Sequence, residues 1–379
     1  MIPLFKVFMA PEVIKPLEEV LFSGYVTQGP KVEEFEAKLA AFFGNPYVVT
    51  VNSGTTALHL ALDLIGVGTG DEVITTPMTC TATNWPILAH GATIVWADID
   101  PETGNIDPES IKNRLSPKTK AVMAVDWGGY PCDIDRIKKM VGNIPVIEDA
   151  AHALGAMYKG KMVGRSADYT CFSFQAIKHL TTVDGGALLV KTKKDYRKAV
   201  LLRYFGIDRK KRSKDYRIEK DISMWGYKFH MNDVGATIGL ANFAHTKEIL
   251  AKHRDNAAFY REAFADIGWI SLLREDKGYV SSSWLYTMKV KNATLFMEYM
   301  KERGVMVSKV HRRNDTHPVT RQFKRPLPNV DLFYKEMVCI PVGWWVTKED
   351  REYITGRVRS FRPGVSGKNS AKGAVVDCC

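Results

Sequence analysis

The stretch YVVTVNSGTTALHLALDLI, residues 47–65, changes its period in the middle. Its first five residues are apolar or β-branched without a break, the pattern of a strand covered on both faces. Gly54 then allows a tight turn, and from Thr55 to Ile65 the apolar residues recur at helical spacing. A buried strand running straight into an amphipathic helix is the unit of a parallel α/β sheet.

The same alternation continues outward. Strand-like runs occur at 73–76, 93–97, 120–125, 145–147 and 187–190, with helix-like stretches at 82–90 and 134–140 between them. This predicts an α/β fold, a mainly parallel sheet covered by helices, in a large domain over residues 1–240 that includes the N-terminal segment. Past Asp233 the texture changes to a long helical pattern at 235–264, the strand-like SSSWLYTMKV at 281–290, and a helix at 293–303. A smaller α/β domain is expected over 241–362. The final stretch, residues 363–379, is small and polar without apolar period and reads as a flexible tail.

Composition narrows the class. A chain of 379 residues with no apolar run near the roughly 18 residues of a membrane span reads as a soluble protein with no membrane partner. The start, MIPLFKVFMAPEVIKPLEEVL, lacks a basic end followed by an apolar block and a cleavage site, so a cytoplasmic location is expected. Cysteines 80, 132, 171, 339, 378 and 379 show no CxxC pair and no histidine at metal-ligand spacing; free thiols are expected and no metal site. The net charge of +11 suits anionic partners, among them nucleic acid, anionic lipid and nucleotide diphosphates. The densest basic run, RKKRSK at 209–214, has no interleaved aromatics and reads as a solvated loop, and no nucleic-acid recognition motif is visible.

In an open parallel sheet chemistry gathers beyond the carboxyl ends of the strands. After YVVTV, the N–H groups of the turn and the hydroxyls of Thr55 and Thr56 form a candidate phosphate site, or simply a capped helix. After IPVI, the run EDAAHALGA sets Glu148, Asp149 and His152 at a strand end, where a carboxylate holds a metal, acts as a base, stabilises a cation, or caps the next helix. In FSFQAIKHLTTVDGG, 172–186, Lys178 stands among apolar neighbours, and it is either a desolvated amine nucleophile or, on this segment alone, an ordinary strand-end lysine. Ser173, five residues earlier, offers a hydroxyl to the same phosphate. Together, an amine, a strand-end carboxylate and a phosphate cradle are what pyridoxal 5′-phosphate requires: a partner for its aldehyde, an anion for its ring nitrogen, and donors for its phosphate.

The motifs VTQGPKVEEFE at 26–36, VNSGTTALHLAL, DEVITTP, VIEDAAHALGA, FSFQAIKHLTTVDGG and HMNDVGATIGLA at 230–241 occur in one order, and on them the chain resembles the DegT/DnrJ-type nucleotide-sugar aminotransferases. The resemblance reaches about residue 360. It implies the aspartate aminotransferase superfold (fold type I), with a seven-stranded sheet and a homodimer whose subunits share active sites. It implies that Lys178 carries the cofactor as an internal aldimine and moves protons during turnover. By the same resemblance Asp149 pairs with the ring nitrogen and His152 lies against the ring or its 3′-oxygen. Thr55, Thr56 and Ser173 hold the phosphate, and Asn232 reaches it from the partner subunit. The implied reaction takes an amino group from L-glutamate, passes through pyridoxamine 5′-phosphate, and delivers it to a keto sugar on a nucleotide diphosphate. A 4-keto-6-deoxy sugar of the perosamine type, for surface polysaccharide, is the favoured acceptor by analogy.

Three departures from the family pattern stand out. Cys80, in TTPMTCTATN, occupies the place of an aromatic that stacks on the ring, with Trp85 a candidate to compensate. The run AVDWGGYPCDID puts Asp126 and Trp127 near the expected substrate entrance. VHRRNDTHP offers His311, Arg312 and Arg313 as sugar or diphosphate contacts, beside Tyr25 and His230. Two rivals remain: a dehydratase of the same fold, which carries histidine in place of the lysine and is opposed by Lys178, and a non-catalytic cofactor-binding regulator, opposed by the intact set Asp149, Ser173 and Lys178.

Overall fold

A computed structural model describes residues 1–209 and 222–364. Most of the basic run, from residue 210, and the tail from 365 with Cys378 and Cys379 lie outside the described residues. The strands in chain order are β1 Val48–Val51, β2 Glu72–Thr75, β3 Thr93–Trp96, β4 Thr119–Val125, β5 Val146–Asp149, a two-residue pair β6 Met157–Tyr158 and β7 Lys161–Met162, then β8 Tyr169–Ser173 and β9 Gly186–Val190. Seven of them form one sheet in the order β1-β9-β8-β5-β4-β2-β3. The pairs β3–β2, β2–β4, β4–β5 and β5–β8 are parallel, while β9 runs antiparallel to both β8 and β1. The expected, mostly parallel sheet is therefore present. β8, with the sequence YTCFS, falls outside the runs read as strands from the sequence and leads directly into the Lys178 segment.

Strand order puts the chemistry in one place. The carboxyl ends of β1, β5 and β8 carry Ser53, Asp149 and Ser173, and these strands lie on the same stretch of sheet, separated only by β9. Both faces are packed: Leu58 and Leu62 of the helix Gly54–Ile65 cover one side with Ile147 and Leu188, while Phe35, Phe43 and Phe172 fill the other. Each such side chain contributes about 1.5–3 kcal/mol by leaving water.

The C-terminal half adds β10 Ile270–Leu272, β11 Tyr279–Val280, β12 Tyr286–Val290 and β13 Met337–Ile340. β10, β12 and β13 make an antiparallel sheet, and β11 extends the β6–β7 pair. Tyr260, Phe264, Phe296, Ile340, Ile354 and Val358 form a separate apolar cluster around that sheet. Ile2 pairs with Val305, so the first residues lie against this half, whereas the Ala10 N–H donates to Asn242 at the end of a helix packed on the large sheet. No helix among the described residues is long and apolar enough to cross a membrane.

Two expectations from sequence need correction. The helical pattern at 235–264 is two helices, Asp233–Phe243 and Thr246–Phe264. One straight helix of that length would span about 45 Å, and the chain turns instead because Asn242 is pinned by Ala10 and by the Thr181 carbonyl. Of SSSWLYTMKV only Tyr286–Val290 is strand. The preceding residues are bent through a left-handed Ser283 (φ 54°) and bonded to the Gly128–Gly129 turn, with the Ser282 N–H donating to the Gly129 carbonyl and the Leu285 N–H to that of Gly128.

Candidate active site

Ser53 caps the helix Gly54–Ile65 by accepting from the Thr56 N–H at 3.1 Å, and the Thr56 hydroxyl completes a capping box. The one proton of that hydroxyl is donated to the Ser53 carbonyl or to the Asn52 side-chain oxygen, both at 2.9 Å. Thr56 is thus occupied in building the turn, a different use from the phosphate contact expected of its side chain. The Thr55 hydroxyl has no hydrogen bond among the described residues. Two glycines are required by contact: a Cβ on Gly54 would lie 2.8 Å from the Ser173 Cβ, and one on Gly186 would lie 2.6 Å from the Ser53 carbonyl. The glycine pair closing the 172–186 segment therefore lets β9 touch the helix start, bringing Ser173 beside free N–H groups where an anion is favoured.

Asp149, at the end of β5, is buried, and burial pushes its carboxyl above the usual range. Working against that rise, the Thr83 hydroxyl donates to Oδ2 at 2.7 Å and the Ala151 N–H to Oδ1 at 3.1 Å, with the Lys178 charge adding to them. Thr83, which escaped sequence reading, lies in the first turn of the helix Thr81–Ala89, just after Cys80 at its N-cap position. A hydrogen bond to a charged group is worth about 1.5–3 kcal/mol. Thr83→Val should accordingly raise the Asp149 pKa by about one unit or more, so that the acidic limb of a pH–rate profile moves to higher pH. An unmoved limb would show that Thr83 does not hold the charge.

Lys178 is half-buried, but its amine lies within dense surroundings, and burial drives it down to about 8, offset in part by Cys80 and Asp149. A sizeable fraction of the amine is neutral at physiological pH. Nζ lies 3.7 Å from the centroid of the Trp284 ring, which is also stacked with His152 at 3.9 Å. His311 lies parallel to His152 at 5.9 Å. Burial and the Lys178 charge hold both imidazoles below their ordinary range, His311 at about 4. His152 Nδ1 and His311 Nε2 are buried without a hydrogen-bond partner.

Several expected substrate contacts are placed otherwise. Trp127 is 1% exposed, with its indole N–H on Thr287 and its edge against His152 and His311. It backs the imidazoles and does not line an entrance, because residues 282–285 lie over its turn. Asp126 is fully buried, accepts from the Cys132 N–H, and is pushed up by burial and by Glu148. Arg313 is committed to Asp315, through two bonds, and to Asp331, while Arg312, exposed, bonds Thr316. The segment RND is a fastening: Asn314 donates to the Thr79 carbonyl and accepts from Asn84, tying the His311 loop to the helix Thr81–Ala89 and to the turn that leads into it through Cys80. Trp85 packs edge-on against His317 and, two residues past Thr83, points off the site face.

Tyr25, His230 and Asn232 have other partners, and His230 bridges to Val51 at the end of β1. His230 Nε2 lies 3.2 Å from the Thr27 hydroxyl and is lowered to about 4 by burial and by Arg209, Arg203 and Lys228. Asn232 caps its helix, accepting from the Gly235 N–H at 2.7 Å, and remains exposed, as does Tyr25. The adjoining Asp233 caps the helix Pro30–Phe43 through the Gly29 and Val32 N–H groups. None of the three makes a hydrogen bond or ring contact with Lys178, Asp149 or His152 in the same chain.

Over residues 8–359 the sequence matches the DegT/DnrJ/EryC1/StrS aminotransferase family. The chain belongs to this family. SpsC, the spore coat polysaccharide biosynthesis protein of Bacillus subtilis, is 35% identical over 375 residues, covering 93% of this chain and 95% of SpsC. The sugar aminotransferase CalS13 of Micromonospora echinospora superposes with a TM-score of 0.91 at 39% identity, covering 95% of this chain and all of CalS13. Spr1654 of Streptococcus pneumoniae, in its PMP form, superposes at 0.88 with 28% identity over 94% of this chain and 98% of its own, and its PLP form at 0.86. This aminotransferase is a PLP-dependent transaminase, and its site fits that cofactor on its own terms: a glycine-lined cradle with an unengaged hydroxyl, a buried carboxylate held against its burial shift, and a lysine amine lowered toward neutrality.

Proposed function

We propose that the protein moves an amino group from L-glutamate to the keto group of a nucleotide-diphosphate-linked sugar, a 4-keto-6-deoxy sugar in type, for surface polysaccharide or glycan synthesis. The observation that carries the chemical part is the pairing of a lowered lysine amine with a buried aspartate at neighbouring strand ends beside an anion cradle. The name of CalS13 as a sugar aminotransferase and that of SpsC as a polysaccharide biosynthesis protein support the sugar part.

Pyridoxal phosphate, when bound, supplies the electron sink that makes a carbon next to nitrogen acidic. The protein's residues do the rest. Lys178 Nζ binds the cofactor and, once free, takes and returns a proton at the reacting carbon; a pKa near 8 suits both directions. Asp149 would pair with the ring nitrogen, and the Thr83 hydroxyl and the Ala151 N–H favour its charged form against burial. Ser173, Thr55 and the helix-start N–H groups bind phosphate, and His152 offers its unpaired Nδ1 to the ring's polar substituent. His311, neutral and one ring further out, offers Nε2 to the substrate. With Arg313 committed to aspartates, Arg209 and Lys228 beside His230 are the better cations for the diphosphate.

The working unit is a homodimer in this reading. Ile14, Phe22, Tyr25, Val26 and Val183 are large apolar side chains left exposed on the single chain, and Asn232 is exposed with them. A second copy would cover them and place Asn232 at its partner's phosphate. The division at residues 240 and 241, and a cytoplasmic location, belong to the same proposal. Asn232→Ser keeps a capping oxygen for Gly235 and removes the amide donor. It should weaken cofactor binding about tenfold with little change in Tm, measured by titrating cofactor into stripped protein. An unchanged Kd would place Asn232 out of the cofactor's reach.

The substrate proposal is tested by incubating the enzyme with L-glutamate and a panel of nucleotide-linked 4-keto-6-deoxy sugars. One 2-oxoglutarate per amino sugar is expected. Amination of free 2-oxo acids with no reaction on any keto sugar would overturn it.

A further inference from the structure

Trp284 enters the site from a segment about a hundred residues downstream of Lys178 and grips the lysine twice. Its indole N–H donates to the carbonyl of Ile177, the residue before the lysine, at 3.0 Å, while Lys178 Nζ lies 3.7 Å from the ring centroid. The ring has little freedom of its own. It is 2% exposed and stacked with His152 at 3.9 Å and 17° and with Phe5 at 5.0 Å and 25°. Its flanking residues are tied down too: the Ser282 hydroxyl donates to the His152 carbonyl at 2.6 Å, and the Ser282 and Leu285 N–H groups bond the Gly129 and Gly128 carbonyls.

We propose that Trp284 is a positioning residue: its ring receives the Lys178 ammonium whenever that amine is not bonded to a cofactor, and its N–H fixes the peptide that carries the lysine. The inference rests on the aminotransferase reading, in which Lys178 is released and engaged again in every half-reaction. A released ammonium in this setting has few places to go. The titratable groups around it are Asp149, Cys80, and the imidazoles of His152, His179 and His311, which burial keeps below their ordinary range. Asp149 is needed by the cofactor ring, and burial without any partner would drive the proton off the amine. An aromatic face attracts a cation and gives it no competing hydrogen-bond acceptor. The amine is thereby parked within reach of the site, protonated often enough to return a proton and weakly enough held to leave.

The test uses the full-length protein stripped of cofactor. Pyridoxal phosphate is added at a series of pH values and the rate of forming the yellow lysine adduct is followed. Only the neutral amine attacks, so the rate rises through the midpoint of Lys178, near pH 8 in the wild type. In Trp284→Leu the midpoint should fall by roughly half a pH unit or more, because the charged form has lost its resting face. Trp284→Phe, which keeps a ring face, should return most of the way to the wild-type midpoint. A purely structural role would change stability and leave all three midpoints together, and coincident midpoints in folded variants would overturn the proposal. Should circular dichroism show that the leucine variant does not fold, Trp284→Met fills the same volume without a ring and takes its place. A wild-type protein that forms no lysine adduct at any pH would overturn the aminotransferase reading, and the role of Trp284 with it; an adduct with coincident midpoints removes the Trp284 role alone.

Discussion

Lys178→Ala should lose turnover by about 10³-fold or more, since the one amine able to engage the cofactor and move the proton is gone. Two features of the site make this specific. The amine is lowered to about 8 by burial, so it serves as base and as acid near neutral pH, and among the described residues the side chains that shift it are Cys80 and Asp149, with no second lysine. The fold should be untouched, because the substitution removes a charge from a desolvated place and breaks no hydrogen bond of the side chain. Cofactor should still bind through the cradle formed by Ser173, Thr55 and the helix start, giving a spectrum of free rather than lysine-bound pyridoxal. Single-turnover amination and circular dichroism together check the prediction; retained activity in a folded variant would remove the assignment of Lys178.

Asp149→Asn should cost about 10² to 10³ in kcat/KM, the scale on which a preorganised charge in a water-excluded site acts. Asparagine has nearly the same shape, and its carbonyl still accepts from Thr83 or from the Ala151 N–H. What it loses is the negative charge opposite the ring nitrogen. Because burial pushes the native carboxyl up and disfavours its charge, the variant should be no less stable, and its Tm should equal or exceed that of the wild type. A variant as active as wild type would mean that the charge is not used.

The parallel sheet was legible because burial on both faces leaves uninterrupted β-branched runs, and the strand-to-helix turn at Gly54 marks where they end. Lys178 and Asp149 were legible for a related reason: a charged residue inside an apolar setting at a strand end is expensive unless it is used. The partners that set their chemistry were not. Thr83 and Trp284 belong to segments whose own pattern says only helix or strand, and their contacts with Asp149 and Lys178 depend on chain reversals that no local period records. The break after Phe243 was hidden in the same way, since an apolar period continues through a turn that is fixed by Asn242 and its distant partners Ala10 and Thr181. Arg313 shows the converse error. Two arginines in a loop suggest an anionic ligand, but an aspartate two residues later and another on a nearby helix had already claimed one of them.

The visible absorption spectrum of the purified protein, before and after L-glutamate, tests the central assignment most directly. A yellow band from lysine-bound cofactor that gives way to the pyridoxamine band on adding glutamate is expected. A protein that binds added cofactor but forms no yellow lysine-bound band, or none that responds to any amino donor, would contradict the transaminase chemistry assigned to Lys178 and Asp149.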